Sequence, residues 1–232
     1  MVALVVLAGL IPAVACADEL ADFNAAVENA SAHNRVALGY LRTGNTDLAS
    51  LEIDRTREAW RVVVATHGNP PAVFKDRTRY TTVLTDVGVQ LVTADLMLNS
   101  GRPQNAAQAL GAIRTELSNL RQSAGIELLA DCVLKSNATM DELMVYNDRA
   151  LDFSNAPDLA DKAKRYGTLL DHCDNLASAR VRKEPEFRRL IDGAKASLAF
   201  IPKAIAEKDA GLLHRVLDEL RSFDNLLAFR FG

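Results

Sequence analysis

The chain has 232 residues, 49% of them hydrophobic and 25% charged, a balance that excludes intrinsic disorder and fits a soluble globular protein. A formal charge of −3 at pH 7 lacks the Lys/Arg excess on which general nucleic-acid binding rests, so no nucleic-acid partner is expected. Twelve Gly and seven Pro fall mostly between periodic segments and leave long stretches for helices.

Residues 1–17 read as a signal peptide. Met1 to Ala15 carries no charge and is mostly Val, Leu and Ala. Ala15-Cys16-Ala17 fits the small-x-small rule for cleavage, and the apolar run is too short to span a bilayer. The alternative is a lipoprotein box, Ala13-Val14-Ala15-Cys16, with Cys16 lipidated. Both readings place the protein in the periplasm, with no transmembrane span. Cys132 and Cys173 remain after cleavage, and an oxidising compartment permits a disulfide between them. Two buried thiols are the other reading, because Cys173 lies on an apolar helical stripe.

From residue 18 onward, apolar residues recur at alternating steps of three and four, the period of a helix with one buried face. The first stripe is Leu20, Phe23, Val27, Ala30, Asn34, Ala37 and Leu41, ended by Thr43-Gly44-Asn45. A second helix, with Asp47 in its first turn, runs through Trp60 and Val62-Val63-Val64 to a stop at Gly68-Asn69-Pro70-Pro71. The third stripe is Tyr80, Val83, Val87, Leu91, Ala94 and Leu98. The fourth is Ala106, Leu110, Ile113, Leu117 and Leu120. A connecting helix from Ile126 to Leu134 is expected to break at Lys135-Ser136-Asn137, followed by a shorter helix from Met140 to about Phe153. Leu159, Ala163, Tyr166, Leu170, Cys173 and Ala177 form the next stripe. Phe187, Ile191, Ala194, Leu198, Ile201 and Ile205 follow, with Pro202 kinking that helix. The last stripe is Leu213, Val216, Leu220, Phe223 and Leu227.

No segment alternates with period two long enough to form a strand, so the fold class is all-α. The stripes fall into two sets of four. Leu84, Asp86, Asn119 and Leu120 recur at one fixed offset as Leu190, Asp192, Asn225 and Leu226. The expected architecture is therefore two tandem antiparallel four-helix bundles, 18–125 and 138–232, joined by a connecting helix or linker over 126–137. One continuous array of eight to nine helices is the alternative. Seams of this kind predict hydrocarbon interiors with little room for reactive groups.

Glu186-Phe187 opens a helix, Glu207-Lys208-Asp209-Ala210 breaks it, and the final helix ends Arg221-Ser222-Phe223-Asp224-Asn225-Leu226-Leu227-Ala228-Phe229-Arg230-Phe231-Gly232. This stretch resembles the second helical pair of the cytochrome c-prime family, periplasmic four-helix bundles with covalent haem. That family carries Cys-x-x-Cys-His just before an aromatic–basic ending. Here Phe223 and Leu226 stand at the Cys positions and Leu227 at the His position, and the first half has Leu117, Leu120 and Arg121 there. The resemblance implies a c-prime-like bundle without covalent haem, the three apolar residues filling the space of the porphyrin.

The four histidines, His33, His67, His172 and His214, lack the spacing of a helical metal site, so no metal is expected. Noncovalent haem held by His214 or a methionine (Met97, Met140 or Met144) is the alternative to a cofactor-free protein. Asp54-Arg55-Thr56-Arg57 and Asp76-Arg77-Thr78-Arg79 repeat one tetrapeptide. Arg57, Arg61, Arg77 and Arg79 are candidates for a patch that binds an anion or an acidic partner, against a solvated face of Asp/Glu–Arg pairs. Asn34, Asn119 and Asn225 are expected at bundle seams, fixing register. No catalytic residues are expected. The functional expectation is an exported protein that binds a protein partner or a small ligand without a cofactor. A homodimer is left open, and a noncovalent haem protein for electron transfer or gas binding is the alternative.

Overall fold

The computed structural model describes the backbone of residues 12–147 and 153–232, with side chains from residue 18 within those ranges. The signal-peptide reading and Cys16 lie outside what it describes in side-chain detail. The described residues are all-α: α1 Pro12–Arg42, α2 Thr46–Thr66, α3 Arg77–Asn99, α4 Pro103–Ser123, α5 Leu129–Met144, α6 Ala156–Leu176, α7 Ala179–Arg182, α8 Pro185–Leu198, α9 Ile201–Glu207 and α10 Ala210–Phe231. The chain divides into two compact units, Met1–Gly125 and Ile126–Gly232.

In the first unit each helix packs on the next, and α4 returns to α1. The contacts Tyr80–His67, Trp60–Leu84 and Arg57–Asp95 proceed in opposite chain directions, as antiparallel α2 and α3 require. The third and fourth stripes are buried throughout, and the first is buried from Phe23 to Leu41. Burial of each large apolar side chain stabilises by about 1.5–3 kcal/mol before entropy is subtracted. Phe23, Phe74 and Tyr80 stack their rings 5.3–5.6 Å apart at the end where α2 hands over to α3. The Asp76 carboxylate accepts from the Arg79 N–H and so caps α3. By length and apolarity α3 could cross a bilayer, yet its seam from Tyr80 to Leu98 is spent on this core.

The second unit packs α5 on α6, α6 on α8 and α9, α8 on α10, and α10 back on α5. Its first helix corrects the expected break at Lys135-Ser136-Asn137, because α5 runs unbroken from Leu129 to Met144. Segment 126–137 is thus part of this unit instead of a linker to it. Ser136 is buried and finds its partner on α10, so a residue that reads as a helix breaker is satisfied across the core. The shorter helix expected to reach Phe153 ends at Met144, and the rest of that stretch falls partly outside the described residues. Pro202 does more than kink a helix. Lacking an N–H to offer the Leu198 carbonyl, it sits in the first turn of α9, and Ala199-Phe200 separate α8 from α9.

Cys132 and Cys173 are joined in a disulfide, with Cα atoms 5.4 Å apart. The bond ties α5 to α6 among fully buried side chains, so the second unit holds a cross-link where buried thiols were the other reading.

Candidate functional site

A groove in the second unit lies against the α8–α9 break. Helix α6 presents Ala160, Ala163, Lys164, Gly167 and Asp171, one strip at helical spacing. Opposite lie Lys195, Leu198, Ala199, Ile201, Pro202 and Ile205. Small residues on α6, facing the join of α8 and α9, leave a groove of about 520 Å³. Gly167 forms its waist: a Cβ there would stand 3.6 Å from Leu198 Cδ1, an ordinary contact with no room to spare. At one end Lys195 Nζ lies 2.5 Å from Asp171 Oδ1, and Asp171 holds the Lys195 ammonium above its usual pKa. Lys164 is exposed on the rim and forms no ion pair among the described residues.

The interior of the second unit overturns the expectation of hydrocarbon alone. Asp224 is 1% exposed, and its Oδ1 accepts from Ser136 Oγ at 3.2 Å and Tyr166 OH at 3.3 Å. Asn137 bonds it as well, and Arg221 Nη1 lies 3.6 Å from Oδ2. Burial raises the Asp224 pKa against the opposing pull of these partners. Burial, then the charge of Asp224, lifts Tyr166 well above the ordinary phenol range. The cluster is a hydrogen-bonded core network. Its hydrogen bonds tie together α5, α6 and α10.

The sequence-predicted residues are placed as follows. Arg57 pairs with Asp54 and Asp95, and Arg61 with Glu58. Arg79 donates to the Asn119 carbonyl on α4. Because Arg57 sits beside Asp95, sixteen residues along α3 from Arg79, about 24 Å of helix separates it from Arg77 and Arg79. The four arginines do not form one patch, and the face of acid–base pairs is what the structure has. His33 Nδ1 lies 2.7 Å from Glu52 Oε2, and Arg55 holds the other oxygen at 2.5 Å. His172 Nε2 lies 2.9 Å from Glu127, whose pKa is lowered by Lys135 and His172. His214 Nδ1 lies 2.7 Å from Asn147 Oδ1, and Met140 is fully buried. Among the described residues no three His, Cys, Asp or Glu side chains group as a metal site.

Of the three asparagines expected at seams, Asn34 is buried and donates to the Leu110 carbonyl. Asn119 is exposed and Asn225 half-exposed, so neither sets register. The three positions of the haem motif differ from one another as well. Leu227 is in the core, Phe223 is half-buried against Gly193, and Leu226 is 43% exposed and fills no interior space. The groove went unseen because it depends on which helix faces α6. Its one sequence signal is the small-residue spacing Ala160, Ala163, Gly167 together with Pro202. No protein-family model, curated protein or solved structure matches the chain.

Proposed function

We propose that the protein is exported to the periplasm and acts by binding a small, largely apolar molecule in the groove between α6 and α8–α9, without catalysing a reaction. The observation that carries this reading is the groove itself. Its about 520 Å³ falls inside the range of about 300–1,000 Å³ typical of small-molecule sites, and its floor is Ala, Gly, Leu, Ile and Pro with a few charges at the edge. Export is supported by the apolar segment ending Ala15-Cys16-Ala17 and by the buried Cys132–Cys173 bond, which suits an oxidising compartment.

A neutral apolar fluorophore such as N-phenyl-1-naphthylamine tests the site. It is expected to brighten on binding, with one equivalent saturating the protein. Gly167→Leu, which places a side chain in the waist, is expected to abolish the signal while Gly167→Ala keeps it. Equal binding by all three proteins would remove the groove from consideration. The mass of protein recovered from cell fractions tests export: a periplasmic chain beginning at Asp18 fits cleavage after Ala17, and a lipid on Cys16 fits the lipoprotein reading.

A further inference from the structure

Charge along the groove is uneven, and the unevenness selects a ligand class. We infer that the groove takes a single-chain amphiphile with an anionic head, of the fatty-acid type, the carboxylate resting at Lys164 and the chain lying along Ala163, Gly167, Leu198 and Ile201. The inference rests on the groove being a binding site.

Three observations set the polarity. The groove lining carries two lysines and one aspartate, and that aspartate already holds Lys195. Lys164 is the remaining cation, with no ion-pair partner among the described residues, and so it alone can meet a carboxylate without first losing a partner. At the other end every cation is already engaged, Lys195 with Asp171 and Arg188 with Asp174 and Asp192, so an anion there would first have to displace a carboxylate. The head is therefore directed to Lys164 and away from the Lys195 end. From Lys164 the α6 strip runs seven residues to Asp171, about 10 Å, with Leu198 and Ile201 opposite, a narrow apolar track that suits an alkyl chain better than a compact ring system.

Displacement of N-phenyl-1-naphthylamine by dodecanoate and by dodecan-1-ol, each below its aggregation limit, tests the proposal. Dodecanoate is expected to displace the dye more tightly than the alcohol. Lys164→Glu is expected to weaken dodecanoate about tenfold while leaving the alcohol within about twofold. Lys164 is exposed, so this variant is expected to fold, and an unchanged far-UV circular dichroism melt checks it. Equal displacement by acid and alcohol, indifferent to Lys164→Glu, would overturn the anionic head while leaving the groove reading intact. Failure of the dye and both amphiphiles to bind would overturn the two together.

Discussion

Tyr166 on α6 and Asp224 on α10 meet inside the second unit, the phenol oxygen 3.3 Å from Oδ1, with Ser136 of α5 on the same carboxylate oxygen. Because burial raises the Asp224 pKa in the folded protein, the neutral carboxyl is favoured there relative to the unfolded chain. Its contribution to stability is complete below the unfolded aspartate pKa and is lost as pH rises through the folded one. The loss amounts to about 1.4 kcal/mol for each tenfold change in proton affinity between the two states. Asp224→Asn keeps an acceptor for Ser136 and Tyr166 and carries no charge. Denaturant melts across the acid-to-neutral range are expected to show the wild type declining through that window relative to Asp224→Asn, which is more stable at neutral pH. Parallel profiles for the two proteins would mean that Asp224 ionises in the core without cost.

The Cys132–Cys173 bond closes a loop with a sequence separation of 41. By the chain-entropy relation a loop of this size is worth about 4 kcal/mol, with measured values commonly about 2–4. Replacing both cysteines by alanine is expected to lower the stability of the second unit by that amount, and reduction of the wild type is expected to have a similar effect. Melts of the double variant with and without reductant check it: the variant should ignore the reductant and the wild type should converge on it.

Helical seams were readable because burial repeats with the helix, and nearly every stripe residue from Phe23 to Leu227 lies inside. The last stripe shows where that reading fails. Phe223 and Asp224 are neighbours about 100° apart, and hydrophobicity alone selects the phenylalanine. The structure turns Asp224 inward, since Ser136, Asn137 and Tyr166 on two other helices satisfy it. A partner on another helix cannot be read from one helix's own spacing. Ser136-Asn137 reads as a break, and the arginines stay open between a patch and a solvated face, for the same reason. The groove likewise needed the pairing of α6 with α8–α9 before its small residues acquired meaning.

Trp60 is the only tryptophan and lies in the first unit, 4% exposed, with Nε1 donating to the Leu84 carbonyl at 3.0 Å. Its emission therefore reports that unit alone and is expected to be blue-shifted when folded. Trp60→Phe removes the bond and leaves unfilled volume, an expected loss of about 2 kcal/mol. Urea unfolding followed by Trp60 fluorescence in the cysteine-free double variant supplies a second readout. If the units unfold separately, the fluorescence midpoint stays fixed while the circular dichroism midpoint of the remaining helix falls. A common shift in both would show that the units unfold together.

Gly193 in α8 faces the ring of Phe223 on α10 so closely that an added Cβ would stand 2.6 Å from Cζ and 2.8 Å from Cε1. Helix propensity favours Gly193→Ala by about 1 kcal/mol. The clash forces the ring aside in a packed interface, at an expected cost of about 1–3 kcal/mol. The two effects oppose, and steric cost is the larger, so the single variant is expected to lose about 1 kcal/mol. Phe223→Leu removes the ring atoms that block the methyl group. In that background the same Gly193→Ala change is expected to become neutral or stabilising, so a double-mutant cycle should return a coupling of at least about 1 kcal/mol. Additive effects of the two substitutions would mean that α8 and α10 do not approach at Gly193 as closely as the 2.6 Å contact requires.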